Sequence, residues 1–242
     1  DERYGAEGFF YGTEPNDFLR EQFGAIRAGG EVLCLAEGEG RNAVFLATQG
    51  YRVVALDQSA VGLGKAERLA AERGVNIATV VANLDGHRIE PQRWDGIVSI
   101  WCHLPSRLRA AVHRKVVEGL KPGGAFLLEA YTPAQLQFGT GGPKEVDLLP
   151  TLAALREELA GLEFIHAVER ERVIHEGQGH EGRKDAKARH QHRATPETRA
   201  PPRGEGGEAR AHISTRGSSA TVMMSAAKLI STVAQANASA TP

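Results

Sequence analysis

The chain has 242 residues, 41% apolar and 24% charged, with a formal charge of −1, which is the profile of one ordinary globular domain with room for an appendage. No apolar run reaches the roughly 18 residues of a membrane span and no basic-then-apolar leader opens it, so a membrane role is excluded and a cytoplasmic location is expected. The near-neutral total hides an asymmetry: residues 183–242 hold ten Lys or Arg against four Asp or Glu, so residues 1–182 are acidic.

The chain begins at Asp1, not Met, and a trimmed N-terminus is expected. In chain order, residues 31–36 (Glu-Val-Leu-Cys-Leu-Ala) read as a fully buried strand and residues 42–49 as a helix closed by Gly50. "YRVVALD", 51–57, is a second buried strand, and "AVGLGKAERLAAERG", 60–74, a helix ending at Gly74. "IATVVAN", 77–83, and "WDGIVSIW", 94–101, are further strands. The helix "PSRLRAAVHRKVVEGLKPGG", 105–124, stops at Pro122-Gly123-Gly124, and "AFLLEAY", 125–131, is a fifth strand. "DLLPTLAALREELAG" is a helix, and "LEFIHAVERERVIHEG" a strand whose stronger alternation suggests a sheet edge. Near-continuous apolar strands alternating with helices predict an α/β fold: a doubly wound, Rossmann-like, mostly parallel sheet covered on both faces. Cys34 and Cys102 lie in apolar runs, which fits a reducing compartment and argues against a disulfide.

The chemistry is expected at the first strand-to-helix turn, because ligands of open α/β sheets sit at the carboxyl ends of the strands near the switch in strand order. Here the turn is Glu37-Gly38-Glu39-Gly40-Arg41-Asn42, and Asp57 ends the second strand. Gly38-x-Gly40-x-x-Ala43 satisfies a dinucleotide fingerprint, so NAD(P) and S-adenosylmethionine both fit the glycines. Electrostatics separates them. A pyrophosphate wants bare backbone N–H groups and a helix N-terminus, and Glu37 and Glu39 would set negative charge against it. S-adenosylmethionine presents a sulfonium and an ammonium, which carboxylates stabilise. Of the two, Glu39 reads more readily as a solvated turn residue.

"LCLAEGEGRNAVFLATQGYRVVALDQS" resembles the first two motifs of the class I S-adenosylmethionine-dependent methyltransferases, and its Gly-Arg-Asn variant is most similar to their tellurite-resistance-type branch. "YGTEPNDFL", "VVANLD", "WDGIVSIWCHLP" and "LKPGGAFLLEAY" resemble further segments of that branch, in the same order, over residues 3–182. The resemblance implies that Glu37, Gly38 and Gly40 line the methionine part of S-adenosylmethionine and that Arg41 and Asn42 hold its carboxylate. It implies Asp57 on the ribose hydroxyls, Gln58 and Ser59 beside the adenine, Asn83 and Leu84 at the adenine edge, and Trp101, Cys102 and His103 beside the transferring methyl. A small-molecule acceptor of tellurite, selenite or thiol type is implied by the same likeness, and an NAD(P)-dependent oxidoreductase is the alternative. An acidic body without an added recognition domain disfavours nucleic acid, and a monomer or homodimer is expected.

If the acceptor must lose a proton, His103 and His175 are the candidate bases. His103 equally suits a brace for the turn after its strand, and His175 rests on the resemblance alone. Cys102 reads better as a small buried hydrophobe than as a nucleophile, and Trp94 and Trp101 as core or pocket wall. His180, His190 and His192 read as loop or tail residues, and no Cys/His spacing suggests a metal site.

After Gly182 the pattern fails. The resembling fold ends in a seventh, antiparallel strand, yet "RKDAKARHQHR" cannot be one. The expectation is a domain over 1–182 whose final strand is missing or replaced, followed by a basic, disordered low-complexity tail over 183–242 in which "TVMMSAAKLISTVAQA" makes at most a short helix.

Overall fold

In the computed structural model, residues 3–138, 140–174, 176 and 218–228 are described. Strands β1 (Glu31–Leu35), β2 (Arg52–Asp57), β3 (Ala78–Val81), β4 (Trp94–Ile100), β5 (Leu120–Tyr131), β6 (Leu162–Val173) and β7 (Ser218–Lys228) alternate with helices α1 (Asp17–Gln22), α2 (Arg41–Thr48), α3 (Ala60–Glu72), α4 (Ser106–Gly119) and α5 (Leu152–Glu158). One seven-stranded sheet runs in the order β3-β2-β1-β4-β5-β7-β6. Strands β1 to β5 pair in parallel, and β7 runs antiparallel to both of its neighbours.

The expected doubly wound sheet is present, and its interior strands are apolar on both faces because both faces are covered. In β1, Leu33 and Leu35 enter one core while Val32 and Cys34 enter the other. In β5, Phe126 and Leu128 enter the first and Ala125 and Leu127 the second. Local signals set the helix starts: the Ser59 hydroxyl accepts from the Gly62 amide at the head of α3, and the Thr151 hydroxyl from that of Ala154 at the head of α5, each satisfying a donor the helix leaves open. Chain order reverses at β1, which lies between β2 and β4. Their carboxyl ends therefore frame the crevice where ligands of such sheets sit.

The final strand is where the sequence expectation fails. It is neither missing nor disordered: "SSATVMMSAAK", expected as at most a short helix in a tail, is β7. Its register runs from Ala125↔Ala227 to Tyr131↔Thr221 on β5 and from Leu162↔Lys228 to Val173↔Ser218 on β6. Val222, Met224 and Ala226 alternate into one core and Met223 into the other, while Ser219, Thr221 and Ser225 are buried beside them. Ala and Met are good helix formers, and buried Ser and Thr imitate a solvated face, so local preference pointed away from the strand that two waiting ladders impose. A domain limit at residue 182 therefore leaves out part of the sheet. The rest of 183–242, with His180, His190 and His192, lies outside the described residues. Strand β6 does close one end of the sheet, as its alternation suggested.

Met224 is fully buried between β5 and β6. Met224→Ala should cost about 2–5 kcal/mol in urea unfolding; a tail residue would stay within about 0.5 kcal/mol.

Candidate active site

A cavity of about 1250 Å³ opens at the carboxyl ends of β1, β2 and β4. Its first wall is the turn after β1. Ala36 has φ 51°, Gly38 φ 62° and Gly40 φ 88°, a run of left-handed backbone that glycine adopts without strain. It folds the Glu37 carboxylate onto the head of α2, where Oε1 accepts from the amides of Asn42 (3.0 Å) and Ala43 (2.7 Å). A helix N-terminus favours negative charge, and here the chain supplies that charge itself. Burial pushes the Glu37 carboxyl up to about 7, against the lowering effects of the Ala43 amide, the Arg41 guanidinium and the Asn42 amide, with Asp57 adding to the rise.

Gly38 and Gly40, expected against the ligand, are not among the cavity-lining residues. A Cβ on Gly38 would lie 2.6 Å from the Tyr4 hydroxyl, and one on Gly40 would collide with Ala66 of α3. Their absent side chains admit Tyr4 and α3, and the backbone around them carries Glu37 and Asp57 into place.

Glu39 corrects a second expectation. It is buried, not solvated. Its Oε1 receives Lys65 Nζ at 2.9 Å, and its Oε2 the amides of Phe10 (2.7 Å) and Tyr11 (3.2 Å). Lys65 Nζ also donates to the carbonyls of Ala6 (2.9 Å) and Gly8 (2.6 Å). This buried ion pair fastens the N-terminal segment over the cavity, and Tyr4, Phe10 and Tyr11 join its lining.

At the end of β2, Asp57 accepts from the Gly38 amide at 2.9 Å and the Ser59 amide at 2.8 Å, one on each oxygen. Each carboxylate oxygen keeps accepting capacity, and Asp57, Gln58 and Ser59 all line the cavity. Asn83 and Leu84 line it too, with Asn83 Oδ1 bonded to the Asp85 amide at 3.0 Å.

After β4, Trp101, Cys102 and His103 reach the cavity together. Burial pushes the Cys102 thiol up to about 12, opposite to the lowered value of a reactive thiolate. Both cysteines are free. Trp101 stacks on Tyr131 at 4.5 Å and 28°, and His103 stacks on Tyr131 at 5.4 Å and 16°.

Beneath them lies a polar network that sequence reasoning missed. Glu176 accepts from Trp101 Nε1 (2.6 Å), Asn16 Nδ2 (2.7 Å) and Arg41 Nη2. Glu129 accepts from the same Asn16 amide (2.7 Å) and from Arg172 Nε and Nη2 (both 2.9 Å). Burial pushes the Glu129 carboxyl up to about 7, opposed by Arg172 and Asn16. Arg41 and Asn42 line the cavity as expected, yet each already serves the fold: Arg41 binds Glu176, and Asn42 Oδ1 accepts the Asn16 amide at 2.9 Å. The one available signal was the polar residues Glu129 and Arg172 inside strand patterns. His175 lies outside the described residues. Among those described, no group of three or more His, Cys, Asp or Glu could hold a metal ion, and no helix is long and apolar enough to cross a membrane.

A methyltransferase-domain family model matches residues 32–124, the span from β1 through the start of β5 that builds most of this cavity. Residues 32–124 are thus similar to a methyltransferase domain. Over 125 residues it is 34% identical to a ubiquinone biosynthesis O-methyltransferase of Serratia proteamaculans, a match covering 49% of this chain and 51% of that protein; the chain thus spans about half the length of this curated relative. The domain's architecture recurs in TehB from Haemophilus influenzae (TM-score 0.60, 18% identity, 88% of this chain and 61% of that one). It recurs again in an S-adenosylmethionine-dependent methyltransferase from Methanosarcina mazei (TM-score 0.56, 15% identity, 90% and 99%). At these identities the two structures show a shared fold.

Removing one partner of a buried pair strands the other charge. Lys65→Met should lower the domain's stability by about 3–5 kcal/mol, measured by chemical unfolding, and should speed proteolysis ahead of Asn16; a loss under about 1 kcal/mol would contradict the clasp.

Proposed function

We propose that the protein transfers a methyl group from S-adenosylmethionine to a small-molecule acceptor. The observation that carries this reading is the Glu37 carboxylate on the first amides of α2. A dinucleotide pyrophosphate would need those N–H groups, and here they are spent on a fixed carboxylate. The same carboxylate, with Asp57 nearby, suits a cationic ligand. Both amides go to Oε1, so Oε2 keeps accepting capacity. This disfavours the NAD(P)-dependent alternative on the same sheet.

In this reading Glu37 faces the cationic part of the cofactor, and Asp57 accepts from its ribose hydroxyls. Gln58, Ser59, Asn83 and Leu84 surround the adenine. Arg41 offers whatever guanidinium N–H groups Glu176 leaves to the methionine carboxylate, with the Asn42 side-chain amide beside it. When bound, S-adenosylmethionine supplies a methyl group already activated on a sulfonium, so the acceptor's electron pair takes the carbon while the carbon–sulfur pair stays on sulfur. Positioning can supply much of the acceleration of such an in-line displacement. For an acceptor that carries a proton, a His103 ring nitrogen is the group to receive it. The branch resemblance implies tellurite, selenite or thiol acceptors, whereas the partial likeness to a ubiquinone biosynthesis O-methyltransferase favours an organic oxygen.

Calorimetry of the full chain with S-adenosylmethionine, its demethylated product and NADH tests the reading. Micromolar binding of the first two, weakened about tenfold or more by Asp57→Ala through loss of a buried hydrogen-bonding carboxylate, is expected; tight NADH binding with no response to S-adenosylmethionine would refute it.

The raised Glu37 pKa predicts a pH signature. An unfolded glutamate titrates near 4.3, whereas this one titrates at about 7 in the fold. Ionising it therefore costs stability as pH rises from about 4 to 7, and the cost levels off above 7. A cationic ligand favours the ionised form. Affinity for S-adenosylmethionine follows the ionised fraction and should rise about eightfold from pH 6 to pH 7.5, and Glu37→Gln should flatten the rise; an equally steep rise in that variant would assign the titration elsewhere.

A further inference from the structure

We propose that Arg109 is a positioning residue for the acceptor and that Asp147 is the latch it acts on: together they hold the turn after β4 and the 140–148 segment as one wall of the cavity. This inference rests on the methyl-transfer reading and deepens it at the same site.

Strand order places that wall. The residues given to the cofactor, from Glu37 to Leu84, follow β1, β2 and β3. Strands β4 and β5 lie on the other side of β1. The segments after them bring Trp101 to Leu104 and Thr140 to Glu145 to the cavity, and so bound the part that the cofactor leaves.

Neither segment holds itself. The turn opens at Trp101 with φ 58°, a backbone that a bulky residue rarely adopts. Between Thr140 and Leu148 the regular structure is one three-residue 3-10 turn, Val146–Leu148. A stretch with few internal bonds keeps its place through tertiary contacts. Its near end is fixed where Gln135 Nε2 donates to Thr140 Oγ1 and to the Gly141 carbonyl, both at 2.7 Å. Its far end is fixed on α4.

Arg109 supplies that hold. It is buried one turn into α4. Its Nε donates to Glu158 Oε1 and Oε2 of α5 at 3.2 and 3.1 Å, and its Nη2 to Oε1 at 2.9 Å. Its Nη1 faces the two segments, donating to the Leu104 carbonyl at 3.4 Å and to the Asp147 carbonyl at 3.2 Å. One nitrogen thus joins turn and segment, while the carboxylate on the other edge fixes the plane. A rigid guanidinium fork can do this, and a single ammonium cannot.

Asp147 answers with its side chain. Helix α4 starts after Pro105 without a side-chain cap of its own, which leaves its first amides open. Asp147 Oδ2 accepts from the Ser106 amide at 3.2 Å, a carboxylate at the positive end of the helix. Backbone and side chain of one residue are therefore both bound within the first turn of α4.

The two cysteines of the full chain give the test. Cys102 lines the cavity, while Cys34 is fully buried in β1 and reports global opening. The chain is saturated with S-adenosylhomocysteine and treated with methyl methanethiosulfonate, and mass spectrometry follows each thiol. Arg109→Met should speed modification of Cys102 about tenfold or more, as for lost hydrogen bonds from a charged group, and leave Cys34 unchanged. Asp147→Ala should speed it about fivefold, the usual worth of a cap, whereas Asp147→Asn, which caps as well, should stay within about twofold of the parent. The Kd for S-adenosylhomocysteine should change less than about threefold throughout. Arg109→Met strands Glu158; if it fails to fold, Asp147→Ala, at an exposed residue, carries the comparison. An unchanged Cys102 rate in Asp147→Ala, Cys34 reacting in step with Cys102, or an equal rise in Asp147→Asn would overturn the inference. A Kd raised about tenfold in Asp147→Ala would place the latch at the cofactor end and overturn it too. Failure of the parent chain to bind S-adenosylhomocysteine would instead refute the methyl-transfer reading, and the acceptor role would fall with it whatever the thiol rates.

Discussion

The carboxylate of Glu37, folded back onto the amides of Asn42 and Ala43, is the constraint around which the ligand-facing end of this domain is arranged. The N-terminus of α2 presents the positive end of the helix dipole toward the crevice. In a dinucleotide fold a phosphate answers it; here a side chain does. Everything next to that carboxylate must then tolerate or need negative charge. Asp57 takes the amides of Gly38 and Ser59, Arg41 is drawn to Glu176, and Glu39 is buried against Lys65. A turn that reads as a loose acidic loop is a set of paired, dehydrated charges that leaves a cation-seeking cavity wall.

Two long-range features hold that wall. Glu39 and Lys65 bind four backbone groups between Ala6 and Tyr11, so the N-terminal segment closes over a turn many residues away. Glu129, Glu176, Arg172 and Asn16 tie β5, β6 and the start of α1 together beneath Trp101. Buried networks of this kind are costly when incomplete and fix one arrangement when complete. Strand β7 makes the second network possible, because it fills the ladder between β5 and β6 and sets the spacing at which Arg172 reaches Glu129.

Much of the sheet was legible because its strands are buried on both faces. Val32 to Leu35, Val53 to Leu56 and Ile97 to Ile100 are apolar at nearly every position, and no other environment asks for that. Asp57, Gln58, Ser59, Asn83, Leu84 and the Trp101–His103 run were legible as cavity residues because each follows a strand end, where the crevice of such a sheet must lie. Gly38 and Gly40 were legible as necessary; that Tyr4 and Ala66 take the space a side chain would fill was not, because sequence shows that a side chain is missing and not what stands in its place.

The sequence by itself determined the alternation of buried strands and helices, the acidic first crossover and hence the preference for a cationic partner, since these follow from local periodicity and from charges a few residues apart. Only the tertiary structure decided that Ser218–Lys228 is a strand, that Glu39 is clasped and not solvated, and that Trp101 is strained over a buried Glu176. Each depends on groups brought together from distant parts of the chain, where satisfying a waiting ladder or a buried charge outweighs the fractions of a kcal/mol by which local propensity speaks.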